Sequence, residues 1–156
     1  MLASEYGQVN AVKELLDKGA KIDAQDNDGW TVLMLASEYG RVNVVKELLN
    51  RRAKVDLQNN DGRTALILAS QYGRVSVVKQ LLDRGAKTDT QAKDGSTALI
   101  LALEYSRVSV IKELLDRGVK VDAQTKNDST ALKLALQSCH NGVVKILRDT
   151  YNLSLY

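Results

Sequence analysis

Cys139 and His140 are the only cysteine and the only histidine in the 156-residue chain, and they are adjacent. A thiol beside an imidazole suggests a nucleophile activated by a base. That chemistry needs the two side chains to face each other and a third group to orient the base. Sequence neighbours at a helix end do not meet this demand, and no orienting group is evident. Nor can two donors supply the three or four protein ligands of a zinc site. The pair is therefore read as part of a structural turn. Asp28-Gly29, Asp61-Gly62 and Asp94-Gly95 are turn glycines, with no Gly-Lys-Ser/Thr after them to cradle a phosphate. With no convergent acid, base and nucleophile, neither catalysis nor a cofactor nor a metal is expected.

The residues suited to recognition are of another kind. Tyr6, Tyr39, Tyr72 and Tyr105 recur at a step of 33. Next to them stand Glu5, Glu38, Gln71, Glu104 and Gln137, followed by Arg41, Arg74 and Arg107. Tyrosine and arginine anchor protein interfaces because each joins a large contact area to a polar head. Two readings are open: contact with a partner, or packing across neighbouring copies with arginine stacked on tyrosine. Trp30, the only tryptophan, occupies a turn tip where later copies have Arg63, Ser96 and Ser129. It is expected to be an exposed anchor, the alternative being packing against the next loop. Gln25, Gln58, Gln91 and Gln124 form an amide ladder, read as bonding loop to loop. Lys13, Lys46, Lys79, Lys112 and Lys145, with Glu14, Glu47 and Glu113 nearby, read as a charge-balanced, solvated outer face.

These columns exist because the chain repeats. Leu2-Ala-Ser-Glu-Tyr-Gly7 returns unchanged at Leu35, and in altered form at Leu68, Leu101 and Leu134. Residues 26–58 and 59–91 agree at 22 of 33 positions without a gap, which is far beyond chance. A strict period in this range marks stacked units that each lean on their neighbours.

Within residues 26–58, Asp26-Asn-Asp-Gly-Trp30 is turn chemistry, and Thr31 suits a helix N-cap. A first helix is predicted from about Val32 to Tyr39, with Leu33, Leu35 and Ala36 buried and Gly40 ending it. A second is predicted from about Val42 to Arg51. Val42, Val45, Leu48 and Leu49 form its apolar stripe, and Lys46, Glu47 and Arg51 are left to solvent. Residues 52–58 return the chain in extended form. Neither helix is long enough to stand alone in water.

Composition narrows the function further. The chain is 44% hydrophobic, enough for a core, yet it has no Phe and no Pro. Net charge is +3 with both signs interspersed, unlike the clustered basic face of a nucleic-acid binder. A single cysteine fits a reducing compartment. No apolar run nears the roughly 20 residues that span a membrane, and no signal sequence opens the chain. A cytoplasmic location is expected, with the nucleus as the alternative.

The unit resembles the ankyrin repeat in its Asp-x-x-Gly-x-Thr turn, its paired short helices and its Gly-Ala loop. The resemblance covers residues 1–156 as one domain: a partial repeat at 1–25, repeats at 26–58, 59–91 and 92–124, and a capping repeat at 125–156. It implies an all-α solenoid of helix-turn-helix units with projecting β-turn loops. It also implies an intracellular adaptor or scaffold that binds a protein or peptide partner on its concave face and turn tips. Partner contacts are expected at Trp30, Arg63, Tyr39, Tyr72, Tyr105, Glu38, Arg41 and Arg74. The alternative is a structural or targeting segment packed on a neighbouring domain of a larger protein. Where the family has Thr-Pro-Leu-His, this chain has Thr31-Val-Leu-Met, Thr64-Ala-Leu-Ile, Thr97-Ala-Leu-Ile and Thr130-Ala-Leu-Lys. The histidine's bonds must be missing or replaced, so a less stable array is expected.

The two ends differ. Met1 aligns with Met34, so the first copy lacks its turn, and its stripe (Val9, Val12, Leu15, Leu16) is as apolar as an internal one. This end reads as uncapped: either a piece of a longer array or a site of self-association. The last copy is degenerate as a cap should be, with Asp128, Cys139 and Arg148 replacing the usual residues.

Overall fold

The computed structural model describes residues 1–5 and 7–119. The Cys139-His140 pair, Tyr6, the fifth copy's Thr130 and the expected cap at 125–156 lie outside the described residues.

The described residues form eight helices in four pairs. They are α1 (Leu2–Glu5) and α2 (Val9–Asp17), α3 (Val32–Glu38) and α4 (Val42–Asn50), α5 (Ala65–Gln71) and α6 (Val75–Asp83), and α7 (Ala98–Glu104) and α8 (Val108–Asp116). First helices pack in series, α1 on α3, α3 on α5 and α5 on α7. Second helices stack the same way, and each pair also packs on itself. This is the expected solenoid, with helix boundaries within one residue of those read from the sequence.

Each internal first helix starts where threonine caps it. Thr31, Thr64 and Thr97 are extended, and each hydroxyl accepts from the N–H three residues on, Met34, Ile67 and Ile100 respectively, at 3.2–3.3 Å. In the second copy the lost histidine has a partial substitute, because the Thr31 N–H reaches the Met34 Sδ at 3.5 Å. Ile67 and Ile100 carry no acceptor and cannot do the same.

The same carbonyl pattern closes both helices of a pair. At the end of α3, Gly40 N–H donates to the Ser37 carbonyl at 3.2 Å and Arg41 N–H to the Ala36 carbonyl at 2.8 Å. At the end of α4, Arg52 N–H donates to Leu49 and Ala53 N–H to Leu48, at 3.1 and 3.0 Å. This Schellman closure requires a left-handed residue, usually glycine. Two copies lack the glycine: Arg52 has φ 65° and Ser106 has φ 57°.

The core is one continuous aliphatic cluster running through the stack. Leu48, Leu81 and Leu114 are fully buried between copies. Each contributes about 1.5–3 kcal/mol by leaving water, which helices of seven and nine residues cannot obtain alone. The internal first helices bury a different set from the stripe read in the sequence: Leu33 and Ala36 are buried as read, Leu35 is only half-buried, and Met34, Ile67 and Ile100 are about 1% exposed. The same crowding buries two hydroxyls, Ser37 and Ser70, with no hydrogen-bond partner.

Candidate functional site

Loop-to-loop bonds set the projecting turns in line. Asn60 N–H donates to the Asp28 carbonyl at 2.9 Å, and Lys93 N–H to the Asp61 carbonyl at 2.8 Å. The glutamine ladder beneath them is the structural device read from the sequence. Gln25 Nε2 donates to the Gly29 and Gln58 carbonyls at 2.8 and 3.0 Å. Gln58 Nε2 repeats this one copy on, to Gly62 and Gln91, at 2.7 and 3.2 Å. Each amide thus ties its own turn to the next.

Turn tips and first helices meet on one surface. Arg63 Nη1, at a tip, donates to Gln71 Oε1 on α5 at 2.7 Å. Arg63 also acts electrostatically on Tyr72 and Asp94. Partial burial, then the nearby Glu38 carboxylate and a bond to it, raises the Tyr72 phenol above its ordinary value. At Asp94 partial burial pushes the carboxyl up, but bonds from Ser96 and the charge of Arg63 outweigh it, so the group sits below the usual carboxylate range. The Ser96 N–H bond is 2.8 Å long. Arg63, Gln71, Tyr72, Glu38, Asp94 and Tyr105 therefore belong to one polar surface spanning three copies.

The tyrosines are its exposed apolar component. Tyr39, Tyr72 and Tyr105 are 39%, 38% and 45% exposed, while the other side chains of their helices are mostly buried. Being C-caps of α3, α5 and α7, they sit on closed helix ends. Arg107 lies over the Tyr105 ring, its Cζ 6.0 Å from the ring centre.

Trp30 departs from expectation. It is half-buried and packs against the aliphatic core rather than projecting as an exposed tip. A large apolar ring gains more from the neighbouring core than from water.

Arg41 and Arg74 fill a structural position. Arg74 Nε donates to the Glu38 carbonyl at 2.8 Å, and Arg107 Nε to the Gln71 carbonyl at 2.9 Å. Those carbonyls end the preceding copy's first helix, where a cation is favoured. The stems cross the helix-ending glycines. A Cβ on Gly40 would stand 2.8 Å from Arg74 Cδ, and one on Gly7 would stand 3.0 Å from Arg41 Cδ. Glycine and arginine thus form a clip between copies.

Sequence reasoning missed a second arginine row. Arg51, Arg84 and Arg117 end the second helices and reach back one copy. Arg51 bonds Asp17 at 2.6 Å, Arg84 bonds the Leu49 carbonyl at 2.7 Å and Asn50 at 2.5 Å, and Arg117 bonds Asp83 at 2.8 Å. Arg51 is exposed, as read, and is held there by Asp17 and by Glu47, each at 2.6 Å, whereas Glu47, read as left to solvent, is half-buried. The 33-residue recurrence of arginine opposite Asp17, Asn50 and Asp83 was the available signal.

The interspersed charge also resolves differently in space. Residues 26–39, 59–72 and 92–105 hold two cations against six acids, a net of −4. Residues 40–58, 73–91 and 106–119 hold twelve cations against six acids, a net of +6. Copy by copy, the turn-and-first-helix stretches carry −3, 0 and −1, and the stretches that follow them +3, +2 and +1.

Among the described residues no group of three His, Cys, Asp or Glu is placed to hold a metal. No helix among them is long and apolar enough to cross a membrane. In comparison with known proteins, a family model described as ankyrin repeats (3 copies) matches residues 1–92 and 84–155. No curated protein matches the chain.

Proposed function

The chain belongs to the ankyrin-repeat family, and we propose on that basis that it binds a protein or peptide partner through its turn tips and first helices, the concave face of such arrays, without catalysis. Repeats of this family are generally protein-interaction modules. The observation that carries the reading here is the row of Tyr39, Tyr72 and Tyr105, held exposed at equal intervals on closed helix ends. Tyrosines on a hydrogen-bonded stack lose little freedom on contact, so more of their contact energy appears as affinity. Glu38, Arg63 and the half-buried Trp30 complete the candidate surface. Arg41 and Arg74 contribute by holding the copies in register.

Affinity capture from lysate tests this with the intact chain and a Tyr39→Ala, Tyr72→Ala, Tyr105→Ala variant. Both should show the same helical circular dichroism. Proteins retained by the first and lost by the second support the reading; identical retention contradicts it.

One observation favours a second contact. Leu2 and Leu15 are 70% and 51% exposed, whereas Leu48, Leu81 and Leu114, which share the column of Leu15, are 0% exposed. Leu15 and Leu16 also border an apolar cavity of about 230 Å³ with Met1, Val12 and Val32. This end suits coverage by a second copy of the chain. Light scattering at several concentrations should then show mass rising with concentration, and a Leu15→Glu variant should abolish the rise. A constant monomer mass contradicts it.

A further inference from the structure

We infer that the partner segment is basic, presenting lysine or arginine side chains to the turn-and-first-helix face. This rests on the interaction reading above and specifies its chemistry. The chain as a whole is positive, yet the three stretches that carry the exposed tyrosines sum to −4, most of it from residues 26–39. Of their six acids, Asp26, Asp28, Asp61, Asp94 and Glu104 are exposed and Glu38 is half-buried. Of their two cations, Arg63 bonds Gln71 and keeps its charge, which acts on Asp94, and Lys93 is exposed; both are counted in that net charge.

Carboxylates alone would not single out a ligand; here one stands beside an aromatic ring. Glu38 lies next to Tyr72, and Glu104 adds an exposed acid at the end of α7. A guanidinium or ammonium group is stabilised by both neighbours, through ion pairing and through contact with the ring. The stack already displays that pairing of groups where Arg107 lies over Tyr105. An acidic partner, by contrast, would meet like charge on the first and third rows, net −3 and −1, with the middle row neutral, which costs affinity.

Geometry sets the segment's length. Glu38 and Glu104 are two copies apart, and helices pack roughly 8–10 Å from one another. The two carboxylates are thus about 20 Å apart, a span that about six extended residues cover. A segment reaching both crosses the middle copy, where the charges of Asp61 and Arg63 cancel.

A phage-displayed library of random 12-residue peptides, selected on the intact chain, is the probe. Enriched peptides should carry at least a twofold excess of lysine and arginine over the unselected library. As synthetic peptides, they should bind at least tenfold more weakly to a Glu38→Gln, Asp61→Asn, Glu104→Gln variant. They should bind within twofold to Asp116→Asn, an exposed acid on the opposite row. Circular dichroism establishes that each variant is folded. Peptides without basic enrichment, or binding indifferent to the triple variant, would overturn the inference. If such non-basic peptides are still lost on Tyr39→Ala, Tyr72→Ala, Tyr105→Ala, the interaction reading survives and only the basic partner fails. If no selected peptide depends on the tyrosines, the interaction reading fails as well.

Discussion

Replacing Arg52 with glycine should stabilise the array, although it deletes a long, charged side chain. Arg52 occupies the left-handed position that closes α4, with φ 65°, where the aligned copies have Gly19, Gly85 and Gly118. A side chain in that conformation costs about 1–2 kcal/mol. Glycine regains this but loses about 0.5–1 kcal/mol more backbone entropy on folding, leaving a net gain of about 0.5–1 kcal/mol. Steric relief adds nothing, since a Cβ built at Gly19, Gly85 or Gly118 meets no atom within 4 Å. The gain therefore isolates the backbone term. Ser106, with φ 57° at the end of α7, should respond alike, and the two sites are far enough apart to add. Urea unfolding followed by circular dichroism at 222 nm is the assay. With a slope of about 2 kcal/mol/M, the midpoint should rise about 0.3–0.5 M for Arg52→Gly and about twice that for the double variant. Gly85→Ala should lower it by a similar amount. An unchanged or lowered midpoint for Arg52→Gly, or a neutral Gly85→Ala, refutes the reasoning.

Arg74→Ala removes the Nε bond to the Glu38 carbonyl and should cost about 1 kcal/mol, with Arg74→Lys failing to restore it because the fork geometry is lost; urea midpoints of the three proteins decide. Ser70→Ala should raise stability by about 1 kcal/mol, since its buried hydroxyl has no partner and such a group costs about 1–3 kcal/mol. The next copy already has Leu103 there, and calorimetry reads the effect as a melting rise of about 2–4 °C. Ala65→Pro should stabilise by about 0.4–1 kcal/mol. Ala65 is the first residue of α5, and Thr64 before it is already extended at φ −97°, ψ 169°, as proline requires.

What the sequence disclosed is what repeats locally. The turn Asp-Asn-Asp-Gly, the threonine cap and the i, i+3, i+7 stripe each act within one copy, so their residue types suffice to place α3 and α4. The glutamine ladder was legible too, because an uncharged donor kept in register beneath a turn has few other roles. Features that span copies were harder to read. Arg74 to Glu38 and Arg84 to Leu49 bridge 36 and 35 residues, and only the stacking register shows which carbonyl each arginine meets. Trp30 was expected to be exposed because turn tips of such repeats usually are, yet the core that partly buries it is assembled from other parts of the chain. The charge split needed only that each copy be divided at the end of its first helix, because its more acidic and more basic stretches are contiguous in sequence. The left-handed Arg52 was visible as a substitution for glycine, but its conformation became definite only with the α4 closure.

The central claim is that partners engage the tips and first helices. Amide chemical-shift mapping of the isotope-labelled chain with a peptide selected on it tests this most directly. The account predicts perturbations concentrated in residues 26–39, 59–72 and 92–105, strongest around Tyr39, Tyr72 and Tyr105. Perturbations concentrated instead on α4, α6 and α8 would contradict it.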